Sequence, residues 1–207
     1  MKIRTFAVLA SAGLLLASCS NNTASEAPST AGPAASSESE NAPDGSADVL
    51  EAYGYENLNA HELIDTLDAL PVAERPTDFV ASVRPNELLI TDAAGTETSL
   101  PIDADEFYLS FSPFVESSHE CYFHSLTTCR GEMSQQAIHV LIVDKSTNAA
   151  IVDEDVTTFD NGFYGVWLPR NLDATLTVTN ADGLTGTVDV STSTDEDKTC
   201  ETTLKLS

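Results

Sequence analysis

The chain has 207 residues, and its 33 acidic against 9 basic side chains give a formal net charge of −24. A surface this negative repels phosphate backbones and anionic headgroups, which argues against DNA, RNA and anionic lipid headgroups as partners. A diffuse negative field would attract cations loosely, but it would not select one metal from another.

The N-terminus has the pattern of a bacterial export signal. Lys2 and Arg4 precede the apolar run FAVLASAGLLLAS, which is too short for a permanent transmembrane helix. The run leads to Leu-Ala-Ser-Cys19, which matches a lipobox, where the cysteine is lipidated and becomes the new N-terminus. We therefore predict a signal peptide over 1–18, a lipid on Cys19, and a protein tied to the outside of the membrane by that anchor. Ordinary signal cleavage beside a chance cysteine is the alternative.

Residues 19–46 are predicted to hold the lipidated cysteine and a flexible linker. The stretch SNNTASEAPSTAGPAASSESENAPDGS has almost no large apolar side chains, so it cannot bury enough surface to offset its ordering entropy. The folded part then covers 47–207, which is the size of one ordinary domain or two small ones.

Residues 47–100 are expected to form a small helical portion with a β-hairpin. ADVLEAYGY and NAHELIDTLDAL predict helices, the second with Asn59 as its N-cap, Glu62 at the capping-box spacing and Pro71 as its stop. The period then changes to two, and DFVASVR, ELLITD and TETSLP predict strands, the last two joined by the turn DAAGTE. His61 lies among acidic residues of the second helix and is expected at the surface.

Residues 101–207 are expected to form an all-β sandwich that carries the cysteines. Stretches rich in Thr and Val recur between turn signals: EFYLSFSPFV, AIHVLIVD, AAIVDEDV, GFYGVWL, ATLTVTN, GTVDVST and TCETTLKL. AIHVLIVD is apolar on both faces, which predicts a central strand covered on both sides. The acidic clusters 153–155 and 195–197 are interpreted as solvated turns. The predicted class is α+β, with the N-terminal portion packed on or beside an immunoglobulin- or prealbumin-like sandwich.

The stretch HECYFHSLTTCRGEM, residues 119–133, concentrates metal-binding and nucleophilic side chains. His119 and His124 are five residues apart rather than four, which excludes the zinc-protease motif HExxH. Cys121 and Cys129 are eight apart, which excludes a CxxC redox turn and a paired-CxxC zinc ribbon. The sequence also contains no GxSxG elbow, P-loop or GxGxxG motif.

The number of cysteines is informative. Of the four in the chain, lipidation of Cys19 leaves Cys121, Cys129 and Cys200. Thiols outside the cytoplasm tend to pair, so an odd number leaves one for a metal, for exchange with a partner, or free. A single staple, Cys121–Cys129 or Cys129–Cys200, is the simplest alternative, but it leaves the third thiol unexplained. Which two cysteines pair is open at this point.

A cluster of cysteine and histidine favours Cu(I) or Zn(II) over hard, oxygen-seeking ions. Copper adds redox chemistry, because two thiolates can form a disulfide while two Cu(II) become Cu(I), and a third cysteine is then left as a ligand. His139 alternates with Ala137 and Leu141, and by itself it is better explained as a hydrogen-bonded core residue than as a ligand.

The stretch SFSPFVESSHECYFHSLTTCRGEM resembles the CueP family of bacterial envelope copper-binding proteins, most specifically in C-[aromatic]-F-H-S-L-T-T-C. The similarity extends through AIHVLIVD and GFYGVWLPRNLDATLTVT to the late Cys200. The resemblance implies three functional cysteines that bind and reduce copper and three histidines that assist them: Cys121, Cys129, Cys200, His119, His124 and His139.

The resemblance also implies roles for the whole protein. It implies copper resistance, thiol-dependent reduction of Cu(II) and Fe(III), copper supply to an envelope superoxide dismutase, and a homodimer formed through the N-terminal portion. The lipobox and linker differ from Gram-negative members of the family and indicate a surface-anchored version. Two alternatives come from other classes: a partner of an envelope thiol–disulfide oxidoreductase without a metal role, and a passive β-sandwich binding module stapled by one disulfide.

Overall fold

The computed structural model describes residues 45–207, with side chains from Val49 onward. The predicted signal peptide over 1–18, Cys19 and nearly all of the predicted linker over 19–46 lie outside the described residues. Within the described part of the chain, no helix combines the length and the apolar character that crossing a membrane would require.

The N-terminal portion consists of short helices and an antiparallel three-stranded sheet in the order β1-β2-β3. The predicted capping box is confirmed, since the Asn59 side chain accepts a hydrogen bond from the Glu62 backbone N–H at 2.9 Å and the Glu62 carboxylate accepts one from the Asn59 N–H at 3.1 Å. The elements are α1 (Gly45–Ala52), α2 (Ala60–Ala69), a 3₁₀ turn (Val72–Glu74), β1 (Phe79–Val83), β2 (Glu87–Asp92) and β3 (Glu97–Pro101).

The rest of the described chain forms two further sheets, in the orders β10-β4-β7 and β6-β5-β8-β9. Their inner faces share one hydrophobic core, so the predicted α+β class with a sandwich-like β portion is confirmed. The pairings are antiparallel except for β10, which runs parallel to β4. The strands are β4 (Glu106–Phe111), β5 (Ala137–Asp144), β6 (Ala150–Thr157), β7 (Tyr164–Pro169), β8 (Asp173–Asn180), β9 (Thr185–Ser191) and β10 (Cys200–Glu201).

The strand covered on both faces is β4 rather than β5. Phe107 and Leu109 of β4 belong to the sandwich core, whereas Tyr108 between them belongs to the N-terminal core. Successive side chains of a strand point to opposite faces, so β4 lies between the two cores. The β5 strand is interior to its sheet as predicted, but no layer formed by residues 45–207 covers its second face, where His139 and Leu141 are partly exposed. The prediction of a doubly covered β5 is therefore wrong.

Two smaller predictions also need correction. The acidic cluster 153–155 lies inside β6 rather than in a turn, and β6 is an edge strand. Charged side chains along a sheet edge discourage pairing with another chain. The stretch TCETTLKL forms a strand over two residues, Cys200–Glu201, before an isolated bridge between Phe114 and Lys205.

The irregular segment 112–136 connects β4 to β5 and carries most of the candidate ligands. The edge of β1 holds it, because the Val83 N–H donates to the His124 carbonyl at 2.8 Å and the Leu126 N–H donates to the Ala81 carbonyl at 2.9 Å. Long irregular connections inside compact domains are commonly functional. The N-terminal sheet thus fixes the position of His124.

A close backbone crossing holds the other end of the segment. The Gly131 N–H donates to the Asn161 carbonyl at 2.6 Å, and a Cβ at Gly131 would lie 2.7 Å from the Gly162 carbonyl oxygen. Glycine is required where two backbones approach this closely. The crossing places the end of the segment against Phe163, which packs on Cys129 and Cys200.

Candidate metal centre

The sulfur atoms of Cys121, Cys129 and Cys200 meet at one point, and we call these three residues the cysteine cluster. Cys121 and Cys200 form a disulfide with their Cα atoms 5.7 Å apart. Among the described residues Cys129 is the free cysteine, and its Sγ lies 3.6 Å from that of Cys121. The bond in the structure is neither of the two pairings considered from the sequence, because each of those used Cys129.

The position of β10 explains the observed pairing. Cys200 lies opposite Ser110 of β4, and its N–H donates to the Tyr122 carbonyl at 3.1 Å. These contacts bring the late cysteine beside Cys121 although 79 positions separate them in the chain. Both the parallel pairing with β4 and the contact with Tyr122 are long-range.

Two histidines approach the cysteine cluster from different sides. The ligand atoms of His119, Cys121 and Cys129 lie within 4.8 Å of one another, and we call this the outer ligand group; those of His124, Cys129 and Cys200 do the same, and we call this the inner ligand group. The inner group is buried throughout, whereas His119 is exposed. Cys129 is shared by both groups.

His139 lies outside both ligand groups. On the open face of β5, its Nδ1 is 2.9 Å from an Asp155 carboxylate oxygen and its Nε2 is 3.3 Å from one of Asp153. The two nitrogens of one ring point in different directions, so a single ion cannot bind the imidazole and both carboxylates together. The structure does not bring His139 to the cysteines, nor into the core. His61 lies partly exposed against Trp167, with a ring separation of 4.0 Å.

The partner of His124 is a residue that the sequence analysis missed. His124 Nε2 lies 3.0 Å from an Asp68 carboxylate oxygen, and both side chains are almost wholly buried. Asp68 also accepts a hydrogen bond from the Tyr108 hydroxyl at 2.7 Å, while the Arg75 guanidinium donates to the Asp68 backbone carbonyl at 2.7 Å. The available signal was an acid four residues after Ile64, on the face of α2 that carries its apolar side chains.

The charges around Asp68 balance one another. Burial by itself would lower the pKa of His124, but the Asp68 carboxylate more than offsets this and raises the pKa to about 9. Burial likewise opposes ionisation of Asp68, but the charge and hydrogen bond of His124 and the hydroxyl of Tyr108 hold its pKa below the usual range. With Arg75 also charged, the group needs a further negative charge to be neutral.

Cys129 would supply that charge as a thiolate. Burial would raise the pKa of its thiol, but the hydrogen bond and positive charge of His124, together with the Ser125 N–H 3.3 Å from Sγ, lower it. A thiolate is the form that binds metal ions and acts as a nucleophile. With Cys129 as a thiolate, the group around Asp68 would hold two positive and two negative charges, each beside a charge of opposite sign.

The pH dependence of stability should reveal this coupling in an oxidised Cys129→Ser variant. The pKa of His124 is above its ordinary value of 6.5, so its contribution is complete below pH 6.5 and is lost as the pH rises through about 9. A pKa difference of about 2.5 corresponds to about 3 kcal/mol. Cys129 is one of the groups that raise this pKa, and Asp68 is the larger. In the Cys129→Ser variant we therefore expect the free energy of unfolding from urea titrations to fall between pH 6.5 and 9.5, but by less than that amount.

The Cys129→Ser variant is used because ionisation of Cys129 in the wild-type chain changes the free energy of unfolding with pH in the opposite direction. A depressed thiol pKa contributes stability that increases as the pH rises toward the unfolded value. The wild-type chain should therefore show a flatter profile. A flat profile in the Cys129→Ser variant would contradict a charged, buried His124.

Solvent reaches the cysteine cluster from the outer side. Cys121 and His119 line both a cleft of about 1080 Å³ and a smaller cavity of about 330 Å³. Cys129 lines the smaller cavity, whereas Cys200 and His124 are closed off behind it. A metal ion entering from solvent meets the outer ligand group first.

This chain is similar to known proteins over the residues that form the candidate site. Residues 62–205 match the family model described as "Periplasmic copper-binding protein CueP", a range that includes the whole cysteine cluster. A solved structure described as "Crystal Structure of S.CueP" is 35% identical, and the match covers 78% of this chain and 97% of that one with a TM-score of 0.72. None of the curated proteins matches. With the resemblance seen in the sequence thus confirmed, the chain belongs to the CueP family of periplasmic copper-binding proteins.

Proposed function

We propose that this protein binds copper outside the cytoplasm through the cysteine cluster, and that the same thiols reduce Cu(II) to Cu(I). The observation that carries the proposal is the meeting of three sulfur atoms and two imidazoles in two ligand groups that share Cys129. Thiolate and imidazole are soft to borderline donors, and they suit Cu(I) better than hard cations. Zn(II) accepts the same donors and is the natural competitor.

Reduction of copper uses two of the three cysteines. When the Cys121–Cys200 disulfide is reduced, oxidation of its two thiolates re-forms the S–S bond and delivers one electron to each of two Cu(II) ions. The fold favours this pair, because the two residues are placed at disulfide distance. Cys129 is then left as a ligand for Cu(I). Two Fe(III) ions could accept the same two electrons.

His124 would act as a ligand through Nδ1. Its Nε2 is engaged with Asp68, while its Nδ1 faces the Cys200 sulfur at 4.0 Å. A carboxylate that holds the far nitrogen of a histidine fixes the ring and makes it a better ligand. Binding of Cu(I) at Nδ1 would require loss of the proton from that nitrogen.

A reduction assay tests this proposal. The reduced protein is mixed with Cu(II) without oxygen, and Cu(I) is followed with a chromogenic chelator while the remaining thiols are counted. We expect two thiols to be lost and two Cu(I) to form for each chain. A Cys121→Ser, Cys129→Ser, Cys200→Ser variant should lose this activity, and an unchanged rate would overturn the thiol mechanism. The Cys129→Ser variant is the matched control, because it keeps the pair and should still reduce copper.

Restoring the thiols requires a donor of electrons. Cys121 is partly exposed at the cleft whereas Cys200 is buried, so an envelope thiol–disulfide oxidoreductase would attack Cys121. This geometry also suits the alternative function of a thiol–disulfide exchange partner without a metal role, which a mixed disulfide at Cys121 combined with unchanged copper affinity in cysteine variants would support. Lipid anchoring at Cys19, copper supply to a superoxide dismutase and an N-terminal homodimer belong to the same proposal.

A further inference from the structure

The structure places a free thiol against a disulfide within one chain. Cys129 Sγ lies 3.6 Å from Cys121 Sγ, and Cys121 is bonded to Cys200. Disulfides exchange when a thiolate attacks one of their sulfur atoms and displaces the other. The Cys121–Cys200 bond is therefore within reach of an internal nucleophile.

We propose that this protein isomerises its own disulfide by attack of Cys129 on Cys121. The thiolate form of Cys129 attacks, so a bond forms between the sulfur atoms of Cys129 and Cys121, the Cys121–Cys200 bond breaks, and its electron pair stays on Cys200, which becomes the thiolate. The exchange conserves electrons, so it consumes no oxidant, reductant or metal ion.

The surroundings of the three sulfur atoms support this direction of attack. The free sulfur touches Cys121, so Cys200 is the leaving group. His124 Nδ1 is 4.0 Å from the Cys200 sulfur, and the ring nitrogen, Cys129 and Cys200 lie within 4.8 Å of one another. The negative charge thus moves between two sulfur atoms beside the same imidazole. A buried thiolate without a nearby positive charge is costly. Here the thiolate lies near the His124 imidazole both before and after the exchange.

The exchange moves the free thiol from one side of the cluster to the other. Cys129 lines the small cavity with His119, whereas Cys200 is 0% exposed beside His124. This consequence rests on the proposed function. The isomer with the Cys121–Cys200 bond offers Cys129 to incoming copper, whereas the isomer with the Cys121–Cys129 bond keeps Cys200 and His124 as a buried pair of donors.

Disulfide mapping of the metal-free protein tests the isomerisation. The full chain with Cys19→Ser is oxidised, incubated at pH 8, quenched in acid, alkylated in denaturant and analysed by peptide mass spectrometry. We expect two species, Cys121–Cys200 with alkylated Cys129, and Cys121–Cys129 with alkylated Cys200. Finding only the first species at every incubation time would overturn the proposal.

Two variants and one dilution complete the design. Cys129→Ser should give only the Cys121–Cys200 bond, which measures scrambling during handling. Cys200→Ser should form the Cys121–Cys129 bond on oxidation; failure to do so would show that the two sulfur atoms cannot bond and would overturn the proposal. The time course should be unchanged by tenfold dilution, and a dependence on concentration would contradict an internal reaction. Because copper is absent throughout, these results are independent of the reduction assay.

Discussion

Replacing Asp68 with Asn should lower the free energy of unfolding by about 3–5 kcal/mol, measured by urea denaturation of the oxidised chain at pH 7. Asp68 is 0% exposed and is the carboxylate that faces both His124 and Arg75. The amide has nearly the same shape but no charge, so it leaves buried positive charge without its partner. The pKa of His124 should fall, because the carboxylate that raises it is gone.

Asp155→Asn is the matched control for this substitution. Asp155 pairs with His139 at 2.9 Å, a distance like that between Asp68 and His124, but its side chain is 92% exposed. Exposed pairs contribute about 0–1 kcal/mol, so this variant should keep its stability within about that amount. Equal losses in the two variants would mean that burial of the Asp68–His124 pair does not decide its contribution.

Replacing Cys129 with Ser should weaken Cu(I) binding by the oxidised protein by at least about 100-fold, since even residues that only support a metal ligand typically contribute 10–100-fold. With Cys121 and Cys200 in a disulfide, Cys129 is the free thiol among the described residues and belongs to both ligand groups. Competition with a chromogenic Cu(I) chelator measures the loss. The loss should be smaller in the reduced protein, where two other thiols are available.

His139→Ala is the control for the copper titration. The family resemblance suggested His139 as an assisting histidine, but the structure places it on the open face of β5, away from the cysteine cluster. This variant should bind Cu(I) as the wild type does, whereas His119→Ala should weaken the outer ligand group. A loss on His139→Ala equal to that on Cys129→Ser would contradict the two-group description of the site.

The N-terminal portion contributes residues to the candidate metal centre. Asp68 comes from α2, and the edge of β1 holds the His124 backbone. Thr199 connects the same parts, since its hydroxyl accepts from the His124 N–H at 3.0 Å and donates to the Val83 carbonyl at 2.6 Å. Changes in the N-terminal core should therefore alter copper affinity without touching a ligand.

The sequence by itself determined the local elements and the chemical inventory. The capping box at Asn59 and the strands from β1 to β9 follow from contacts within a few residues and from side-chain periodicity. The three cysteines beyond Cys19 and the spacing of HECYFHSLTTC were enough to predict the family and the soft-metal chemistry. These features depend on residues that are close together in the sequence, so local patterns and conformational propensities are enough to predict them.

Only the tertiary structure decided which of these residues meet. Cys121 and Cys200 are 79 positions apart and His124 and Asp68 are 56 apart, and no local pattern relates such partners. The meeting of these pairs depends on the parallel docking of β10 on β4 and on the packing of α2 over the other face of that sheet. The same long-range packing buries β4 on both faces, leaves one face of β5 open and so keeps His139 away from the cysteines. Burial then makes the Asp68 charge matter, because a carboxylate in a low-dielectric interior must be paired.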